Sequence, residues 1–262
     1  MTPLLLTVDT CGNRLMLALF SGETCLAQVD LPVDSQRTHS AWLIPQVSAV
    51  LASQGLQPTQ LTDVAVNVGP GSFTGIRAGL SAVRTLGQFL PVRLHAFDTF
   101  QMLATQHNPP SASAASIASV ETAPPREEAR LTLLLNARRN QAYYCQMVLQ
   151  EQQWQYHKPP QLALLTTLEE QAEDLFQNNP VLIEAPLYDW FVERLGSVET
   201  FRSLPVFTAQ TPTHSGFLMK ALLTLAPQAY QVAWQDLLPC YIQPPSVTWA
   251  KPRLPTVDWS PL

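Results

Sequence analysis

Charge is scarce in this 262-residue chain: Asp, Glu, Lys and Arg make up 13% of it, about half the usual share of roughly 25%. The formal net charge of −5 leaves no electrostatic footprint for nucleic acid, and direct RNA or DNA binding would need a local basic patch. The adjacent pair Arg138-Arg139 reads as a solvated turn. No lysine occurs between Thr2 and Pro110, so that half holds no Gly-x-x-x-x-Gly-Lys-[Ser/Thr] phosphate loop. Cys11, Cys25, Cys145 and Cys240 show no Cys-x-x-Cys spacing, which excludes a zinc knuckle and a thioredoxin pair and fits a reducing cytoplasm. The histidines (His39, His95, His107, His157, His214) are at least twelve residues apart, which excludes two metal ligands on one helical turn. No run approaches the roughly 18 apolar residues of a membrane span. The opening Met1 to Leu6 has no basic region and soon meets Asp9, so it reads as a buried strand rather than a signal peptide.

Hydrophobic residues make up 46% of the chain, a globular composition whose length allows one large domain or two lobes of about 100–130 residues. Glycine is also sparse, and five of the ten glycines fall between Asn67 and Gly87. An apolar run, Val64 to Val68, leads into Gly69-Pro70-Gly71 and then into a helical pattern that Ser72 or Thr74 can cap, giving strand, tight turn, helix. Two uses of these glycines compete. A glycine turn at a helix N-terminus can cradle phosphate, although Thr74 stands where a dinucleotide fingerprint needs its third glycine. Alternatively Gly75 and Gly79, with Ala78 and Ala82, form small-residue ridges that let another helix approach closely.

Along the chain, strands are expected at 4–9, 15–20 and 25–31, with turns at Gly12-Asn13 and Ser21-Gly22. A helix opens near Thr38-His39-Ser40, with Leu43, Ile44, Val47, Val50 and Leu51 on one face and Pro45 near its start. Then come the strand at 64–68, the helix to about Phe89, a strand at 92–95, and a helix from 98 to about 105, with Asp98 its candidate cap. Residues 108–128, rich in Pro, Ser and Ala, read as a linker or insertion. Beyond it the pattern repeats: strands at 131–136, 142–149 and 153–157, a helix at 168–177, a strand at 181–184, a helix at 188–195, a strand near 206–208 and a helix at 215–225. The order βββαβαβα thus occurs twice. This predicts an α/β protein of two lobes, 1–106 and 130–262, joined by 107–129, with a mixed five-stranded sheet in each lobe: the architecture of the actin, Hsp70 and sugar-kinase class, a ribonuclease H-like duplication.

Within that architecture, Val8-Asp9-Thr10, Thr38-His39-Ser40 with Leu43-Ile44-Pro45, the block Gly69-Pro70-Gly71-Ser72-Phe73-Thr74-Gly75-Ile76-Arg77, Asn136-Ala137-Arg138 with Ala142-Tyr143-Tyr144, and Leu238-Pro239-Cys240-Tyr241 resemble, in this order, the TsaB (YeaZ) family. The resemblance implies a non-catalytic subunit of the bacterial machinery that makes N6-threonylcarbamoyladenosine in tRNA. Its partner would be TsaD, a paralogue carrying the metal and the transfer chemistry, with TsaE joining as an ATPase and TsaC supplying threonylcarbamoyl-AMP. The helices His39 to Ser53 and Thr74 to Phe89 would form the contact, through Leu43, Val47, Val50, Gly75, Arg77, Ala78, Gly79, Ala82 and Val83. A homodimer is expected when the partner is absent, with tRNA met only through the complex, no membrane contact and a cytoplasmic location.

No catalytic, metal or cofactor residue is assigned. Asp9, Thr10 and Asn136 are vestigial nucleotide-site candidates, because Asn136 stands where a second-lobe acid would hold Mg²⁺ and a neutral amide is a poorer ligand for a hard cation. Ile183-Glu184-Ala185-Pro186 offers no glycine for an adenosine loop. The competing readings are an ATP-dependent small-molecule kinase and a metallopeptidase-like member of the same class. Because the linker has too little apolar content to offset its ordering entropy, deleting 110–124 should leave the melting temperature nearly unchanged. A loss of several degrees in a thermal melt would show that it folds onto a lobe.

Overall fold

Two mixed sheets organise the chain. The computed structural model describes residues 2–36, 38–106, 129–150, 153–172, 175, 180–195, 206–207, 219–220, 223 and 230–242. The expected linker lies outside them except for Ala129, and so does most of the expected helix at 215–225, although 219, 220 and 223 are helical.

The first sheet begins with β1 (Leu4–Asp9), β2 (Arg14–Ser21) and β3 (Thr24–Pro32), an antiparallel meander. Next come α1 (His39–Ser53), β4 (Asp63–Asn67), α2 (Phe73–Phe89), β5 (Arg93–Phe97) and α3 (Thr99–Gln106). β4 pairs parallel with β1, and β5 parallel with β4. In the second lobe β6 (Arg130–Arg138), β7 (Gln141–Gln150) and β8 (Gln153–Leu164) form another antiparallel meander, followed by α4 (Leu165–Glu170), β9 (Val181–Glu184), α5 (Ala185–Leu195) and β10 (Val206–Phe207). β9 runs parallel to β6, and β10 parallel to β9.

The duplicated order is as expected, with two differences. The first sheet has six strands, because β11 (Gln231–Val232) pairs antiparallel with β5. Residues 230–241 therefore pack on the first lobe, although the sequence reading grouped them with the second, and Ile242 joins the cluster that α3 shares with the second sheet. β11 is two residues long and half polar, too short to show a period. β8 runs to Leu164, past the expected end at 157, because Lys158-Pro159-Pro160 lies on the outer strand, where proline needs no ladder partner.

Alternation sorts the first sheet's two faces. Leu6, Val8, Val64 and Val66 join α1 and α2 residues in one core, while Leu5, Ala18, Phe20, Ala65 and Phe97 face Met102 of α3 and Met219. Phe100, Leu103 and Ala104 of α3 pack on Leu131, Leu133, Cys145 and Met147 of the second sheet. α3 is thus the helix both cores share. α1 starts earlier than the proline suggested, because the Thr38 hydroxyl accepts from Ala41 N at 3.3 Å and caps it, leaving Pro45 inside the helix.

Two carboxylates, Asp63 buried and Asp98 half-buried, hold opposite ends of the parallel strands. Asp63, first residue of β4, accepts from Arg93 Nε and Nη2 at 2.8 Å each, from Thr62 Oγ1 at 2.7 Å and lies 2.9 Å from His95 Nε2. Burial alone would push its pKa up, but hydrogen bonds from His95, Arg93 and Thr62 and the Arg93 charge hold it well below the carboxylate range. Asp98, just past β5, accepts from Gln101 N at 2.8 Å and caps α3. Burial outweighs the Gln101 and Phe100 backbone donors and pushes its pKa to about 6.

These shifts act on stability with opposite signs. Asp63 is depressed in the fold, so its contribution is present above the unfolded value of about 4 and is lost as pH falls below it. Asp98 is raised, so its burial opposes folding above pH about 6, and that cost is relieved as pH falls toward about 4. Urea melts from pH 3 to 8 should therefore show Asp63→Asn about 1–3 kcal/mol less stable than wild type at pH 7, converging with it in acid. Asp98→Asn should remove the gain seen between pH 7 and 5. Melts in which neither substitution alters the pH profile would contradict both assignments.

Candidate partner-binding face and its glycine turn

The turn between β4 and α2 is fixed from several sides. Gly69 has φ +106°, a left-handed conformation that favours glycine. Its N–H donates to Asn67 Oδ1 at 2.9 Å, and its carbonyl accepts from Thr99 N at 2.9 Å. Thr99 Oγ1 donates to Pro70 O at 2.8 Å. Ser72 then caps α2, its hydroxyl accepting from Gly75 N at 3.3 Å.

What lies against this turn decides between the two uses of its glycines. Ser72 N donates to Cys11 O at 2.6 Å, and Thr10 Oγ1 donates to Gly75 O at 2.8 Å. A Cβ added at Gly71 would run into the Cys11 carbonyl, one at Gly75 into the Thr10 carbonyl, and one at Gly79 into Thr10 Oγ1. The glycines make room for the chain's own β1–β2 turn. Cys240 approaches the other side, with its N–H donating to Val68 O at 2.8 Å and its carbonyl 3.1 Å from the position of a Gly69 Cβ.

Asp9, Thr10 and Cys11 are all buried. Asp9 Oδ1 accepts from Cys11 N at 2.9 Å. Burial, aided by the Asp9 charge, pushes the Cys11 thiol well above its ordinary value, so it is a poor nucleophile. Asn136, the second-lobe candidate, is exposed on β6, and its backbone N–H donates to Glu184 Oε2 at 2.6 Å. Burial raises the Glu184 pKa. Sequence reasoning had noted position 184 only for want of glycine. Its signal was a carboxylate closing an apolar run at a strand's carboxyl end. The two described buried histidines are occupied: His39 Nε2 lies 3.2 Å from Arg14 O, and His95 joins Asp63.

The expected partner face needs correction. Leu43, Val47, Val50, Gly75, Gly79 and Val83 are buried inside the lobe, because one face of each helix is used against the sheet and the other helix. Gly75 and Gly79 in particular face Thr10, so the small-residue ridge they form is internal. Arg77 is exposed, and Ala78 and Ala82 are half-buried. The exposed large hydrophobic residues on these helices are instead Ile44, Phe73 and Phe89, at 51%, 40% and 75% exposure. Ile44 stands one residue off the buried stripe, which is the signal that separates it from Leu43. At the end of α2, Phe73 stacks on Tyr241 at 5.2 Å between ring centroids, and the Arg77 guanidinium lies 5.3 Å from the Phe73 ring. A shallow cavity of about 550 Å³ lies beyond the other end, between Gly87, Arg93 and Gln231 to Trp234. Its one charged group, Arg93, is committed to Asp63.

Two lobes, each with a βββαβ sheet and covering helices, joined through a shared helix, define the actin, Hsp70 and sugar-kinase class. A family model described as "TsaD: tRNA N6-adenosine threonylcarbamoyltransferase" matches residues 30–179. The chain is 30% identical to tRNA threonylcarbamoyladenosine biosynthesis protein TsaB of Bacillus subtilis over 100 residues, 38% of this chain and 43% of that protein. To the protein of the same name from Haemophilus influenzae it is 36% identical over 91 residues, 34% of this chain and 37% of the other. The structure of YeaZ from Pseudomonas aeruginosa superposes with a TM-score of 0.60 at 19% identity, covering 91% of this chain and 99% of that one. The chain belongs to this family, on its TsaB (YeaZ) branch. It spans about two fifths of the length of the curated relatives it matches. Among the described residues no helix is long and apolar enough to cross a membrane.

The contacts at Thr10 yield a test. Alanine at a helical glycine ordinarily stabilises by about 1 kcal/mol, but here overpacking should outweigh that gain, for a net loss of about 1–3 kcal/mol. Gly79→Ala should be relieved by Thr10→Ala, since the obstacle is a side chain; Gly75→Ala should not, since its obstacle is backbone. Equal coupling in both double-mutant cycles, measured by urea unfolding, would contradict this packing.

Proposed function

We propose that this chain is a non-catalytic subunit that docks a TsaD-type paralogue on the outward surfaces of α1 and α2, supporting transfer of the threonylcarbamoyl group to adenosine of tRNA. The observation that carries this reading is the glycine side of α2, which the chain's own Thr10 and Cys11 close at Gly71, Gly75 and Gly79. The turn's role is then to seat α2 and present its outer side. The structural engagement of His39 and His95, and the amide at Asn136, support the same assignment. So does the relatives' shared name, which concerns tRNA threonylcarbamoyladenosine biosynthesis. In this reading TsaE joins the pair as the ATPase, tRNA is met only through the complex, and the work is done in the cytoplasm.

Purified alone, the chain should turn over no ATP. Steady turnover abolished by Asp9→Ala would favour the kinase reading instead. Titration calorimetry with TsaD of the same genome should detect binding. Ala78→Arg, at a half-buried outer position of α2, should weaken that binding by about 5- to 150-fold, equivalent to an overpacking cost of about 1–3 kcal/mol. A folded Ala78→Arg chain that binds as tightly as wild type would remove α2 from the interface.

A further inference from the structure

The seam between the lobes has one carboxylate at its edge. Asp98 Oδ1 accepts from Gln101 N at 2.8 Å, and the Asp98 N–H donates to Gln101 Oε1 at 3.4 Å, the reciprocal arrangement of a capping box. The helix it opens, α3, sets Met102 against the first sheet and Phe100, Leu103 and Ala104 against the second. Groups from two other parts of the chain meet at the same carboxylate: Tyr156 of β8 and Cys145 of β7, and, from the returning segment, Cys240 and Tyr230, whose ring centroid lies 4.3 Å from that of Phe97. Burial and then the Asp98 charge raise the pKa of all four, so they stay neutral around pH 7, and none of them is a base. The Tyr156 hydroxyl is buried with no hydrogen-bond partner in place, and so is the indole Nε1 of Trp154, two residues earlier on β8 and packed in the same cluster. Buried donors left unpaired cost free energy, which makes the α3–β8 seam weaker than the core of either sheet.

We infer that Asp98 and Tyr156 form a proton-sensitive latch between the lobes: with Asp98 protonated the seam of α3 and the second sheet closes without a charge, and ionisation of Asp98 favours its parting. The direction follows from the surroundings. In the closed seam the carboxylate faces phenols and thiols with no cation among them, so its charged form is poorly solvated and burial pushes its pKa to about 6. In a parted seam water reaches it, and its pKa returns toward about 4. The closed form therefore binds more protons than the parted one. Closure is firmest below the parted value, weakens as pH rises through the interval, and levels off above about 6. The Tyr156 phenol sets where that level is reached, because as a donor to the ionised carboxylate it lowers the Asp98 pKa. The inference concerns the interior seam and is independent of the docking reading above.

Amide hydrogen exchange on the full chain, corrected for the intrinsic pH dependence of exchange, tests the latch. A helix as short as α3 does not hold without its cover, so the exchange of 99–106 reports parting of the seam. These amides should open more readily than those of 4–9 in the first sheet, and about tenfold more readily at pH 7 than at pH 5, the ratio expected for a pKa moving between about 4 and about 6. Asp98→Asn keeps a good cap and should abolish the pH dependence, leaving 99–106 at least as protected at pH 7 as wild type is at pH 5. Tyr156→Phe, a change in the other lobe, should carry the rise in opening to higher pH, beyond the point where wild type levels off; a phenol with only a packing role would leave the profile in place. The latch is overturned by a flat profile in wild type, by a pH dependence that survives Asp98→Asn, by a Tyr156→Phe profile that coincides with wild type, or by exchange of 99–106 as slow as that of 4–9, which would mean that the seam parts only on global unfolding.

Discussion

The first lobe depends on one close approach: the backbone of Thr10 and Cys11 against the glycine side of α2. Neither carbonyl could sit there beside a Cβ, and each has a hydrogen-bonding or steric counterpart on the helix. The contact draws α2 down onto the carboxyl ends of β1 and β4. α1 then lies beside it, with His39 against Gly75. The helix pair has its inner side filled by Leu43, Val47, Ile76, Leu80 and Val83. What remains outside is largely set by that inner fit, because a helix that uses one face for the sheet and one for its neighbour has a single side left.

The returning segment 230–242 completes the same unit. Leu237 is fully buried in the core under α1 and α2, Trp234 lies against Gly87 and Leu94, and Cys240 bonds Val68. A lobe finished by residues from the far end of the chain cannot be cut at the linker and remain whole. α3 reinforces the dependence, since its two sides serve different sheets. The lobes are therefore distinct in topology but mutually dependent in packing.

Much of this was legible in the sequence. The short apolar runs at Leu4 to Asp9 and Val64 to Val68, and the stripe of Leu43, Val47, Val50 and Leu51, report burial directly, because run length, period and exposure are coupled through the geometry of each element. Their repetition after the linker disclosed the duplicated architecture. The direction of the glycine ridge was not legible. Small residues at Gly75 and Gly79 permit close approach of whatever lies opposite, and nothing local tells a second helix from the chain's own turn. Gln231–Val232 was invisible for a different reason: two residues hold no period, and the strand exists only because β5 offers it an edge. The contact between Glu184 and the Asn136 backbone was not legible because it spans 48 positions.

The scarcity of charge acquires a structural reading. Most described ion pairs draw acid and base from different elements: Arg14 with Asp30 across β2 and β3, Arg93 with Asp63 across β4 and β5, Arg194 with Glu169 between α5 and α4, Lys220 with Glu23 across the two halves of the sequence. Ionised groups in this chain mostly serve to fasten neighbours. A surface left almost without them is poorly solvated and gains by being covered, since exposed apolar area is the term that burial relieves. On α1 that surface is alanine, serine, isoleucine and proline, and on α2 it is bounded by Phe73 and Phe89. The same economy of charge that leaves the fold to hydrophobic packing and backbone fit therefore leaves the outer side of the first lobe's helix pair poor in charge and partly apolar.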